Sequence, residues 1–204
     1  MSPASAPTTQ RLCIYCGSSP GARADYANAA RTVGQALARC GIALVYGGGN
    51  VGMMGRIADA VLEAGGEVIG VIPHHLADKE LAHERATQMI RVNSMHERKQ
   101  TMADLSDGFI ALPGGIGTLE ELFETMTWLQ LGLHRKPIGL LNVAGFFDAM
   151  LAFLDHMVAE RFLKAEHRDL LIVSDDIHDL IDKMSAFEAP DAEKWLDRAA
   201  QELR

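Results

Sequence analysis

The sequence predicts a three-layer, Rossmann-like α/β fold built on a mostly parallel sheet of about seven strands. Short, nearly continuous apolar runs alternate with helical patterns along the chain. Strands have that character when helices cover a parallel sheet on both faces. Polar or glycine-rich loops follow the first, second and fifth runs, the places where such sheets hold their ligands. The 204 residues, 48% of them hydrophobic, suffice for one packed core, and no internal repeat or inter-domain linker divides them.

The elements are expected in this order. Residues 1–10, rich in Ser, Pro, Ala and Thr, lack the charged and apolar regions of a signal peptide and read as a disordered tail. A single domain over 11–188 follows. Its first strand, 12–15, passes into Cys16-Gly17-Ser18-Ser19, and a helix over 24–40 leads to the second strand at 42–46. The loop Gly47-Gly48-Gly49-Asn50-Val51-Gly52 then opens a helix over 52–64. Strands over 67–72 and 88–92, a helix over 95–105 and a strand over 108–112 precede the loop 113–118 and a helix over 118–131. A strand at 137–142, a helix at 147–160, a strand at 170–173 and a helix at 176–184 complete the domain. Residues 189–204 read as an appended amphipathic helix.

Composition excludes several function classes. A formal charge of −8 and a pI near 5.4 leave no basic surface for a nucleic-acid polymer. No apolar run approaches the roughly 18 residues of a membrane span, so a soluble, cytoplasmic protein is expected. Cys13 and Cys16 stand three apart on or beside a strand, where side chains point to opposite faces. They read as buried apolar thiols rather than a redox or metal pair. His74, His75, His83 and His96 show no recognised ligand spacing, and no metal is expected.

Chemistry concentrates in Pro113-Gly114-Gly115-Ile116-Gly117-Thr118-Leu119-Glu120-Glu121. Backbone amides free of side chains, followed at once by a helix start, make an anion site. Carboxylates beside a phosphate loop make better sense facing a sugar or a water. In the helix that follows, Leu119, Leu122, Phe123, Met126 and Leu129 form the core stripe, with Glu120, Glu121, Glu124 and Trp128 on the remaining arc. A Trp opposite the core stripe points to a subunit interface shared with Leu131 and Leu133. Gly47-x-Gly49-x-x-Gly52 fits the dinucleotide fingerprint, but its strand partner ends Ile72-Pro73-His74-His75, without the acidic residue that holds a ribose. A tight packing turn and a nucleotide-lined pocket both remain open there. Ser94 and Glu97 have capping-box spacing. Arg98 and Lys99, expected in the first turn of that helix, suit a phosphate or a developing anion.

Four segments in this order resemble the LONELY GUY family of cytokinin-activating nucleoside 5′-monophosphate phosphoribohydrolases. They are Cys16-Gly17-Ser18-Ser19, Tyr46-Gly47-Gly48-Gly49-x-x-Gly52-x-Met54-Gly55, Met95-His96-x-Arg98-Lys99 and the Pro113 to Glu121 motif. The similarity runs over about 12–174. It implies hydrolysis of the N-glycosidic bond of N6-modified adenosine monophosphates to free base and ribose 5-phosphate, without a cofactor, by a homodimer with sites near the subunit boundary. It assigns Arg98 and Glu121 as the catalytic pair, Lys99 beside the arginine, and Gly114, Gly115, Ile116, Gly117 and Thr118 as the phosphate loop. Glu120, Glu80 and Thr127 match ligand-contacting positions, and Ser18, Gly48 and Gly49 lie on the loops expected to converge there.

Ribosyl cleavage passes through an oxocarbenium-like state. Glu121 can stabilise it directly, orient the attacking water or hold a ribose hydroxyl, and Arg98 can serve the leaving base or the phosphate. Alternatives are a general AMP or purine nucleotide nucleosidase and a non-catalytic nucleotide-binding module. Met54, Met89 and Met95 are candidate apolar walls for the base.

Overall fold

The computed structural model describes residues 9–77 and 82–189. Glu80 lies outside them, as do 1–8 of the expected tail and 190–204 of the expected terminal helix. Seven strands form one sheet: β1 (Arg11–Tyr15), β2 (Ala43–Tyr46), β3 (Val68–Pro73), β4 (Gln88–Val92), β5 (Gly108–Ala111), β6 (Ile138–Leu141) and β7 (Leu171–Ser174). Their order is β4-β3-β2-β1-β5-β6-β7, with every neighbouring pair parallel. The chain lays down β1 to β4 outward in one direction and then returns to the other side of β1. The crevice between β1 and β5 is therefore the topological switch point, where ligands enter such sheets.

Helices cover both faces. α1 (Ala24–Arg39), α2 (Gly52–Glu63) and α8 (Ile177–Ser185) pack over Leu12, Ile14, Leu44 and Ile110. α4 (Met95–Leu105), α5 (Ile116–Gln130) and α6 (Asp148–Ala159) pack over Cys13, Val45, Ile69 and Phe109. Alternation along β1 sends Cys13 into one core and Ile14 into the other. Cys16, just beyond the strand, joins the core opposite Cys13, so the two thiols diverge. The short helices α3 (His74–Ala77) and α7 (Ala165–Arg168) and the 3₁₀ turn Val143–Gly145 lack the length for a readable period.

α5 corrects the sequence reading twice. Phe123, expected in the core stripe, is 37% exposed, while Thr125 is buried. Leu122, Met126 and Leu129 face the sheet, and Phe123 lies about 100° round the helix from Leu122. Trp128, expected opposite the core, is half-buried against the same cluster as Phe109. The exposed apolar residues nearby are Ile116, Phe123, Leu131 and Leu133.

Candidate active site

Loops after β1, β2 and β5 interlock at the switch point. The Gly17 N–H donates to the Pro113 carbonyl at 3.1 Å, and the Met53 N–H donates to the Gly17 carbonyl at 3.1 Å. A Cβ on Gly114 would collide with the Thr118 side chain and come within 2.9 Å of the Gly17 nitrogen. Gly52, at φ 61°, sits so close to the Ser18 carbonyl that any side chain there would overlap it. These glycines let three loops meet. Gly115 and Gly117 have another job, since nothing lies within 4 Å of the position of a Cβ on either, and both are exposed. α5 starts at Gly115 as N-cap, with no side chain to cap it. Its first-turn amides, from Ile116, Gly117 and Thr118, therefore have only solvent or a ligand to serve.

Arg98 comes from α4. Ser94 caps this helix by accepting from the Glu97 N–H at 3.1 Å, and the Glu97 carboxylate accepts from the Asn93 N–H at 2.7 Å. That cap places Arg98 in the second turn, not the first, and turns it inward. The residue is 7% exposed. Its Nε donates to the Val71 carbonyl at 3.1 Å and its Nη2 to the Gly47 carbonyl at 2.9 Å. A Cβ on Gly47 would occupy the guanidinium's place. The cation thus lies across the ends of β2 and β3, with donors left over, because a guanidinium carries five. Met95, 37% exposed, rests its sulfur 3.8 Å from Nη1.

Glu121 stands opposite on α5. Burial pushes its carboxyl up to about 7; Arg98 opposes the shift and Glu120 adds to it. Lys99 links the two helices, donating to Glu120 at 2.5 Å and Glu124 at 2.9 Å. Burial pulls the Lys99 ammonium down, but the two carboxylates outweigh it and hold it above its usual range. The Tyr15 hydroxyl and Thr125 Oγ1 hydrogen-bond at 3.0 Å, and Thr125 Oγ1 donates to the Glu121 carbonyl at 2.7 Å, which pins this turn of α5 to the end of β1.

The structure thus brings Arg98, Lys99, Glu120, Glu121 and the loop from Gly114 to Thr118 to one sheet edge. Ser18 is exposed on the β1 loop. Gly48 and Gly49 are buried on the β3–β4 side of the β2 loop, the Gly48 carbonyl accepting the His83 N–H at 3.0 Å and Gly49 bridging to Ala82. Met89 packs its sulfur on Gly48 and Gly70. Thr127 stands apart, exposed on α5 about 13 Å along the helix axis from Thr118. Sequence reasoning passed over Tyr15 and Thr125, whose pairing spans 110 positions, and gave Glu124 no task. The one available signal was the i, i+4 spacing of Glu120 and Glu124 astride Glu121.

A family model described as "Possible lysine decarboxylase" matches residues 54–184. A probable cytokinin riboside 5′-monophosphate phosphoribohydrolase of rice, LOGL9, is 49% identical over 87% of this chain and 78% of its own length. The Arabidopsis thaliana enzyme of that name, LOG3, is 43% identical over 95% of this chain and 90% of its own. The chain belongs to the LONELY GUY family. Among solved structures, the molybdenum cofactor binding protein of Rippkaea orientalis superposes with a TM-score of 0.64 at 20% identity, covering 87% of this chain and 96% of that one. The molybdenum cofactor carrier protein of Chlamydomonas reinhardtii gives 0.65 at 21%, covering 85% and 94%. These two share the LONELY GUY fold.

Proposed function

We propose that this chain hydrolyses the N-glycosidic bond of N6-modified adenosine 5′-monophosphates, releasing the free base and ribose 5-phosphate. The observation that carries this is a carboxyl near pKa 7, Glu121, facing a buried cation, Arg98, beside an uncapped helix start. The first-turn amides of α5 hold the 5′-phosphate, and that remote binding positions the ribosyl bond. As the bond between C1′ and the purine nitrogen breaks, its electrons leave with the base and positive charge grows on the sugar. Glu121, ionised, stabilises that charge and takes a proton from the water whose oxygen bonds to C1′. Arg98, fixed by two carbonyls, turns its spare donors to the departing purine, which takes a proton from solvent as Glu121 gives its own back to solvent. Two copies of the chain form the working unit.

Product analysis with isopentenyladenosine monophosphate tests the reading. Free base and ribose 5-phosphate should appear, and Glu121→Gln should lower the rate by about 10²-fold or more. Full activity in that variant would remove the mechanism. AMP in the same assay distinguishes a general nucleosidase, and binding without turnover a sensing module. Amino-acid decarboxylation through a Schiff-base lysine fits poorly at this edge. Such a lysine needs a depressed pKa, and Lys99 is held above its usual range by Glu120 and Glu124.

A further inference from the structure

We infer that Glu124 is a positioning residue: by holding the Lys99 ammonium it fixes α4 against α5, and so sets how Arg98 approaches Glu121. The inference rests on the reading of Arg98 and Glu121 as the reacting pair. Arg98 and Lys99 are consecutive on α4, so any slide of that helix moves both. Glu120 and Glu124 lie one before and three after Glu121 on α5. Among the described residues, the hydrogen bonds joining α4 to α5 are the two that Lys99 makes to these carboxylates.

The two carboxylates are not equivalent. Glu120 is 50% exposed and Glu124 26%, and Glu124 lies about 6 Å further along the helix from the phosphate loop. Glu120 is therefore open to incoming ligand, whereas Glu124 grips Lys99 from behind. The Lys99 side chain is itself only 11% exposed, and its ammonium, hydrogen-bonded to both carboxylates, keeps one partner when the other is engaged. When a nucleotide engages Glu120, Glu124 keeps the helices in register. The charged groups around Glu121 are Arg98 and Lys99 from α4 and Glu120 and Glu124 from α5, with the un-ionised Cys13, Tyr15 and Cys16 beneath.

Steady-state kinetics of wild type, Glu124→Gln and Glu124→Asp test the role, with circular dichroism to verify the fold. Glu124→Gln should lower kcat about 10- to 100-fold, the scale of a small misplacement of reacting groups, with KM changed by less than about 3-fold. Glu124→Asp should recover most of the loss. An unchanged kcat in Glu124→Gln, a loss confined to KM, or an aspartate variant as poor as the glutamine one would overturn the assignment. Carboxyl ¹³C NMR of Glu121 needs no turnover. In Glu124→Gln its titration should move to higher pH, because Arg98, which holds the carboxyl down more strongly than Glu124 raises it, loses its approach, and a midpoint that stays or falls would also overturn it. A wild type that releases no base from any nucleotide would sink the hydrolase reading, while the NMR comparison would still decide the role of Glu124.

Discussion

Glu121 works against the fold that holds it. Its carboxyl is raised to about 7 in the folded protein and returns to about 4.3 when the chain unfolds. The folded state thus favours the protonated form. That preference stabilises the protein fully below the ordinary carboxylate range, and it is lost as pH rises through about 7. Glutamine, always neutral, keeps the benefit. Glu121→Gln should therefore exceed wild type in stability at pH 8, by on the order of 1–3 kcal/mol, with the two converging near pH 4. Thermal denaturation at both pH values measures this, and equal stability at pH 8 would show that the carboxylate is not strained. At this scale the candidate site was legible wherever its residues are contiguous, as in Arg98-Lys99 and the run from Gly114 to Glu121. Tyr15 and Thr125 were not, because neither has a chemical signature and their meeting depends on how α5 lies across β1.

At the scale of elements, the two helices that supply the site begin differently. α4 has a side-chain cap in Ser94; α5 begins on Gly115 with none. Its open amides invite a direct comparison. At φ −93° and with no neighbour within 4 Å of a Cβ, Gly115 accepts an L-residue without strain. Gly115→Asp should cap α5 and stabilise the protein by a few tenths of a kcal/mol. It should also set a carboxylate where the phosphate belongs, and nucleotide binding measured by calorimetry should disappear. Undiminished binding would place the phosphate elsewhere. The strands and the long helices were readable because continuous apolar runs and the 3.6-residue period persist over whole elements. Phe123 and Trp128 were misread for a related reason: each borders the stripe on α5, where a few tens of degrees decide between core and solvent.

For the whole molecule, the exposed apolar residues Ile116, Phe123, Phe153 and Phe162 argue for a second copy. Ile116 is 82% and Phe162 85% exposed, side chains that pairing of two copies would take out of water. Light scattering should give twice the 22.2 kDa chain mass, and Phe123→Glu should return it to one. A wild type of single-chain mass would refute the pairing. The hydrogen bond from Gly17 to Pro113 has a consequence for how the enzyme is made. Its two ends emerge from the ribosome seconds apart at about 5–20 residues per second, and β5 must insert beside β1 before they can meet. A nascent chain that has finished both early glycine loops still lacks the open amides at the start of α5. On the proposed phosphate site, nucleotide would bind only after the middle of the sheet has closed, and a chain stalled before β5 would leave the cell's nucleotide pool untouched.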